Sequence, residues 1–443
     1  MPPTDLRTWF PNTQPRASSA FLEGAGLAGL TLYAAMLTLD KDLCYVGEWL
    51  MLLALAASWT MARERLLRDG IFRLGLIWAL YLAVSCIVGE IWVPGSLGDQ
   101  VLAARRWMKL GFIVLVAWWL GGDWQAIRRL YAILFLAFAI MMLRYFLYPL
   151  YWEKGLAGGR LRFGMNPQRS ALFFATTLLG LLFLARDVWG ARTGRWFGLR
   201  VAAWGVSVML MTLGLLFTQT RGVWIGTATG VLATMPMGLT GIRARTSYRG
   251  WTLAGGVAGL ALVTLIGIGQ WPHIAERFGE EAAVVQALES GQWQSVPNTS
   301  LGRRIHLWHW GWITWQESPW WGIGINSVRP LAMSGELSHQ LGEFEIPHLH
   351  NSWLELLVST GLIGMLLFAG FAVLVARGGL WAYRNGRLPG RFLLMQGAIA
   401  IMFLVANLTE AHITKWIFWP YLALFWGSLY SPAFWFRSTT PPQ

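Results

Sequence analysis

The chain has 443 residues, 55% of them hydrophobic and only 13% charged, where a soluble domain carries about a quarter charged residues. With 29 tryptophans, 50 glycines and two cysteines, Cys44 and Cys86, it is neither a soluble enzyme nor a disulfide scaffold, and it fits apolar helices packed in lipid and anchored at its edges. The formal charge of +13 is spread between apolar segments and comes with no zinc-finger or RNA-reading motif, so it reports topology and anionic lipid rather than nucleic acid.

A hydrocarbon core of about 30 Å needs about 20 apolar residues per helix. After a polar, proline-bearing tail over 1–19, twelve such segments follow at about 20–39, 46–62, 72–93, 101–120, 124–147, 170–186, 199–218, 221–240, 251–270, 351–375, 391–410 and 413–433. The expected fold is all-α: a polytopic integral membrane protein with about 12 transmembrane helices. Spans 1–9 fall within 20–270, a large helical loop covers 271–350, spans 10–12 fall within 351–433, and a short tail covers 434–443. Arg7 and Arg16, then Arg63, Arg65, Arg68 and Arg73, then Arg128 and Arg129 lie on one face. Arg186, Arg192, Arg195 and Arg200, then Arg243, Arg245 and Arg249, then Arg377, Arg384, Arg387, Arg391 and Arg437 continue it. The positive-inside rule puts this face and both termini in the cytoplasm, which puts the large loop on the outer face.

The remaining basic residues sit on or near the opposite face and concentrate in a few places. Arg105, Arg106 and Lys109 lie just inside the fourth span, and Lys154, Arg160, Arg162 and Arg169 in the next outer connection. Arg221 starts the eighth span, and Arg277, Arg303, Arg304 and Arg329 occupy the long loop. Basic residues that defy the topology rule need another reason, and binding an anion is the simplest; snorkelling to lipid headgroups is the alternative. Within the loop, 274–288 reads as an amphipathic helix with Glu276, Glu280, Glu281 and Glu289 on its polar side. A second helix is expected from Ser300, capped by Thr299 or Ser300, to about Gln316, with Arg304, Trp308, Gly311, Trp312 and Trp315 at helical spacing. A turn-rich return follows Pro319, and the tenth span starts with His350 or Asn351 at its N-terminus.

His306, His309, His339, His348 and His350 match no standard metal spacing. None of the aspartates lies in the long loop, whereas magnesium-dependent sugar transfer normally uses carboxylates to bridge phosphates; neither metal nor cofactor is expected. Arginine grips phosphate through charge-assisted, bidentate bonds without a metal, and such donors stabilise a leaving diphosphate. A neutral histidine can take a proton from an attacking hydroxyl. Together they suit transfer of a sugar from a lipid-linked diphosphate to an alcohol.

Four segments carry a family resemblance: Thr218-Gln219-Thr220-Arg221-Gly222; Ser300 to Trp308, with Arg304 at its arginine position; Pro319-Trp320-Trp321-Gly322-Ile323-Gly324; and His350-Asn351-Ser352-Trp353-Leu354-Glu355 followed by Gly361. A looser fifth is Arg162-Phe163-Gly164-Met165-Asn166-Pro167. In this order they resemble the O-antigen ligase and polymerase superfamily of Gram-negative inner membranes, the ligase branch most closely, over about residues 160–410. The resemblance implies that Arg221 and Arg304 hold the diphosphate of an undecaprenyl-diphosphate-linked glycan. It implies that His350 activates a hydroxyl of lipid A-core, with inversion and without metal. Glu410 resembles an acidic position that orients a site arginine or His350. Arg105, Arg106, Lys109, Arg160, Arg162, Arg303, His348 and Glu410 complete the expected set, as groups that bind the diphosphate or lipid phosphates. The alternatives that remain are an O-antigen polymerase, a protein O-oligosaccharyltransferase and, from another class, a secondary transporter.

Overall fold

The computed structural model describes residues 15–189, 194–240, 282–291, 295–342, 346 and 348–437. In chain order the helices are α1 (Ala20–Leu39), α2 (Lys41–Ala57), α3 (Trp59–Arg68), α4 (Gly70–Trp92), α5 (Leu97–Trp107), α6 (Phe112–Leu120) and α7 (Trp124–Phe146). They continue as α8 (Pro149–Leu156), α9 (Pro167–Phe183), α10 (Ala185–Trp189), α11 (Phe197–Phe217), α12 (Arg221–Thr240) and α13 (282–289). The last are α14 (Ser300–Glu317), α15 (Val328–Ser334), α16 (Glu336–Leu341), α17 (Ser352–Arg384), α18 (Gly390–Ala406) and α19 (Phe418–Phe436). No strand occurs among the described residues.

Starts are set by side chains that take up the free N–H groups of a first turn. Ser19 accepts from Leu22, Asp40 from Asp42 and Leu43, Asp69 from Phe72, and Asp123 from Ala126. Five helices (α1, α4, α7, α11 and α17) are each long and apolar enough to cross a membrane, and the α2–α3 pair makes a sixth if counted as one span. The eighth expected span coincides with α12, and the others correspond to shorter or interrupted helices. The ninth, 251–270, lies outside the described residues, as do the loop-helix residues up to 281.

Two expected spans are corrected. The segment 46–62 is not one straight helix: α2 and α3 bend by 98° where the chain turns polar, and Glu64 and Arg68 form an exposed ion pair on α3. The segment 101–120 is α5, a 3₁₀ turn over Met108–Gly111, and α6. The turn carries Lys109 inward to Glu48 on α2, at 2.8 Å.

Close helix approaches run over small residues, as membrane bundles require. Along α12, Gly222, Gly226 and Gly230 face the α18 end and backbone. A methyl group on Gly226 would stand 2.6 Å from the Met402 carbonyl oxygen, one on Gly230 2.5 Å from that of Ala398, and one on Gly222 would overlap the Thr409 hydroxyl. In the loop, α14–α16 share a small apolar cluster that includes Leu307, Ile323, Val328, Leu337 and Leu349 and reaches Val358 of α17.

The loop is locked to the bundle at a break in α17. Gly361 leaves the helical conformation (φ 59°, ψ −167°). The carbonyls this releases do not go unpaired: Val358 accepts from Ile323 N–H at 3.0 Å, Ser359 from Gly324 N–H at 3.0 Å, and Thr360 from the Tyr81 hydroxyl. In return Leu362 and Ile363 N–H donate to Pro319 and Trp320 carbonyls at 2.9 and 3.2 Å. The Pro319–Gly324 turn thus fills the gap in the helix, as a broken membrane helix demands. Gly322 has φ 71°, and a methyl group there would stand 2.5 Å from the Ser359 carbonyl carbon. Gly322→Ala is expected to lower stability by at least about 1–2 kcal/mol, read as a fall in the thermal unfolding midpoint in detergent. Gly24→Ala, in open space on α1, should leave the midpoint in place.

Candidate active site

The first turn of α17 is built by its own sequence. Asn351 is the cap, its side chain accepting from Trp353 and Leu354 N–H at 3.0 and 3.1 Å. Glu355, one turn in, accepts Leu349 N–H at 2.8 Å and so ties the incoming chain down. Ser352 N–H donates to the Asn407 carbonyl at 2.8 Å, and its hydroxyl donates to the Glu410 carbonyl at 3.0 Å. Between these anchors His350 is held at φ 52°, a conformation uncommon for a residue with a side chain. Strain of this kind concentrates where surrounding structure imposes it for function.

Glu410 is the hub. Its Oε1 lies 3.1 Å from His348 Nε2, and its Oε2 accepts from Gln168 Nε2 at 3.0 Å. His350 Nδ1 is 3.7 Å from Oε2, beyond hydrogen-bond length, and has no hydrogen-bond partner among the described residues. Catalytic contacts of this kind often tighten only with substrate bound. Burial alone would raise the Glu410 carboxyl, but the His348 hydrogen bond and the adjacent His350 outweigh it and hold the carboxyl far below the usual range. Burial pushes His348 down against the pull of Glu410, and pushes Lys415 down in the same way.

Three helix N-termini meet around this carboxylate. α9 brings Gln168 and Arg169, α17 brings His350, and α12 starts with Arg221, whose neighbour Gly222 packs on Thr409, one residue before Glu410. Each such end carries unpaired N–H groups and a partial positive charge. The 158–161 segment is clamped beside Arg221: Leu161 N–H donates to the Phe217 carbonyl at 2.9 Å, and Arg160 Nε donates to the Thr218 carbonyl at 3.1 Å. Arg162 is exposed next to it. Arg304 lies one turn before Trp308 on α14, and Trp308 donates to the Leu349 carbonyl at 2.9 Å, so that helix face borders the His348–His350 segment.

Other expected residues lie elsewhere or have other partners. Lys109 is corrected: it is buried against Glu48 at 2.8 Å and under the Tyr45 ring at 3.6 Å, so its charge is already countered. Arg105 is exposed and Arg106 half-buried on α5. Arg303 donates to the Asn298 carbonyl at 3.4 Å. Cys44 and Cys86 are both buried and free. Sequence reasoning missed Gln168 altogether, gave no role to His412 and Lys415, and placed Arg169 only among the outer-face basic residues that could bind an anion. Gln168 directly follows Asn166-Pro167, the cap and first residue of α9, the one signal that marked its place.

His348, His350 and Glu410 present ligand-type atoms within 4.8 Å of one another. His348 Nδ1, however, accepts the His350 backbone N–H at 3.2 Å. Its ring proton therefore sits on Nε2, and the nitrogen facing Glu410 has no lone pair for a metal ion.

His412, 3% exposed beside Glu410, is pushed down to about 4 by burial, with Glu410 pulling the other way. Above pH 6.5 it is neutral folded or unfolded; between 6.5 and 4 only the unfolded chain binds the proton. Its contribution should therefore make stability fall by up to about 3 kcal/mol as pH drops through that window. Thermal midpoints should show the slope, and His412→Met should flatten it.

No curated protein matches the chain. Residues 206–369 match the family model described as O-antigen ligase, a stretch that contains Arg221, Arg304, the Pro319–Gly324 turn and His350 through Gly361. Over this stretch, which is under half of the chain, the sequence is similar to the O-antigen ligase/polymerase superfamily.

Proposed function

We propose that the chain is an O-antigen ligase: a metal-independent, inverting enzyme that moves O-antigen glycan from undecaprenyl diphosphate to a sugar hydroxyl of lipid A-core, completing lipopolysaccharide. It works at the periplasmic face of a Gram-negative inner membrane, with about 12 spans and both termini cytoplasmic. The observation that carries the reading is His350 beside an ionised Glu410, at the meeting of three helix N-termini with Arg221. The family match lends support to the transfer chemistry.

In this reading His350 takes the proton of the acceptor hydroxyl. The oxygen attacks the anomeric carbon while the bond from that carbon to the diphosphate oxygen breaks on the opposite face. The diphosphate leaves with both electrons, and its growing charge is met by Arg221 and Arg304, with Arg160 and Arg162 alongside. Glu410 holds the imidazole and stabilises the imidazolium that forms. The Nε2–H form of His348 favours the metal-free route, because it supplies a donor where a metal would need a lone pair. Arg105 and Arg106 belong with lipid phosphates at the membrane surface.

The test is transfer in vitro with purified protein, undecaprenyl-diphosphate-linked glycan, rough lipopolysaccharide and chelator, resolved on a gel. Wild type should give a ladder shift. His350→Ala should lower turnover about 10²–10⁴-fold with donor binding nearly intact. Arg221→Ala and Arg304→Ala should cost about 10²-fold or more and weaken donor binding, with lysine a poor substitute. Transfer only to added protein would replace the ligase by a protein glycosyltransferase. Elongation of lipid-linked glycan without acceptor would replace it by a polymerase. Activity lost to chelator and restored by a divalent ion would overturn the metal-free mechanism.

A further inference from the structure

We propose that His348 is a positioning residue: a neutral imidazole with its proton fixed on Nε2, which pins Glu410 against Nδ1 of His350 and leaves His350 Nε2 as the nitrogen that meets the substrate. The part played by His350 rests on the transfer reading above; the tautomer of His348 does not.

A backbone N–H can only donate. The His350 N–H points at His348 Nδ1 from 3.2 Å, so Nδ1 must present its lone pair, and the ring proton goes to Nε2. That nitrogen faces Glu410 Oε1 at 3.1 Å. Protonating Nδ1 as well would set N–H against N–H in a side chain only 3% exposed. His348 is therefore a donor with one state, and burial, which pushes it below its ordinary value, acts in the same direction.

Holding one oxygen does not orient a carboxylate. Here the second, Oε2, takes Gln168 Nε2 at 3.0 Å from α9, so donors from two separate elements fix its plane. Oε2 is also the oxygen that faces His350 Nδ1, at 3.7 Å. With a carboxylate as its neighbour, His350 Nδ1 carries the proton and Nε2 keeps the lone pair. The two imidazoles lie 4.4 Å apart, nearly perpendicular, and differ in access: the His350 side chain is 21% exposed and that of His348 3%. Only His350 reaches a substrate, so His348 does not bind phosphate as its sequence position implied. The other charged or titratable groups around the pair are Arg169 on α9, His412 and Lys415 after α18, and Glu355 on α17.

Removing the His348 donor relaxes the hold on the Glu410 carboxyl. The Glu410 carboxyl then takes its proton at higher pH, and the acid limb of the rate profile moves up. His348→Phe keeps a ring and removes both hydrogen bonds. His348→Gln keeps an N–H for Glu410 and an oxygen for the His350 N–H.

Two measurements test this. The first is nitrogen NMR on detergent-solubilised protein labelled with ¹⁵N-histidine, with the His348 signals assigned by their loss in His348→Gln. They should show a neutral ring protonated at Nε2, unchanged from pH 5 to 8; a titrating ring, or a proton on Nδ1, overturns the proposal. The second is the pH profile of transfer. His348→Phe should lower kcat about 10–100-fold, leave the donor KM within about twofold, and shift the acid limb upward. His348→Gln should restore most of the rate and the profile. An unshifted profile in folded His348→Phe, or no rescue by glutamine, overturns the positioning role. A wild type that shows the NMR signature but transfers glycan to no acceptor overturns the transfer reading and leaves the tautomer assignment standing.

Discussion

A helix that breaks inside an apolar bundle must find partners for every carbonyl it releases, because lipid offers none. α17 meets this constraint at Gly361 with a turn from the loop that precedes it. Val358, Ser359 and Thr360 carbonyls are all taken, two by the turn and one by Tyr81, and the turn receives two N–H groups in exchange. The residues just after the turn are fastened to α5, where Gln100 accepts Asn326 N–H at 2.9 Å and donates to the Ser327 hydroxyl at 2.9 Å. The loop helices consequently sit on the bundle as a fixed cap. Trp308 can then hold the Leu349 carbonyl, and His350 receives its unusual backbone conformation from both sides.

Around Glu410 the charge is lopsided. Arg160, Arg162, Arg169, Arg221 and Lys415 gather at this end of the bundle, while the acids named there are Glu410 and Glu355. Both are occupied, one by His348 and Gln168 and the other by Leu349 N–H. Cations gathered at one end of a bundle raise the local concentration of anions. A site of this sign attracts anions before any specific contact is made.

Much of this was legible in the sequence. The starts of α17 and of α14 were legible to within one residue because Asn351 and Thr299 are capping residues ahead of apolar runs. The motif residues Arg221, Arg304 and His350 fall where the loop and two helix ends meet. Glu410 was visible only loosely, and its partner Gln168 stands 242 positions away in sequence, a pairing set by bundle packing that local pattern does not encode. Lys109 was misread for the same reason. A lysine just inside an apolar segment looks alike whether it reaches for headgroups or for a glutamate, and Glu48 lies 61 positions away. The break at Met108–Gly111 was hidden because hydropathy continues through Leu110 and Phe112, so a window sees one span where the backbone makes three pieces.

The glycine stripe on α12 has a mechanical consequence. Gly222, Gly226 and Gly230 recur every four residues against Thr409, Met402 and Ala398, so the two helices mesh like toothed racks. Sliding one against the other by less than a full turn, about 5.4 Å, would drive side chains into carbonyl oxygens. The height of Arg221 relative to Glu410 is thus a property of the helix pair and not of the loops that carry them. A single residue inserted between Gly222 and Gly226 would rotate Arg221 by about 100° around the helix axis relative to Gly226 and Gly230. A four-residue insertion would keep its direction and lift it by one turn. In this protein the spacing between Arg221 and Glu410 is ruled by the pitch of an α-helix.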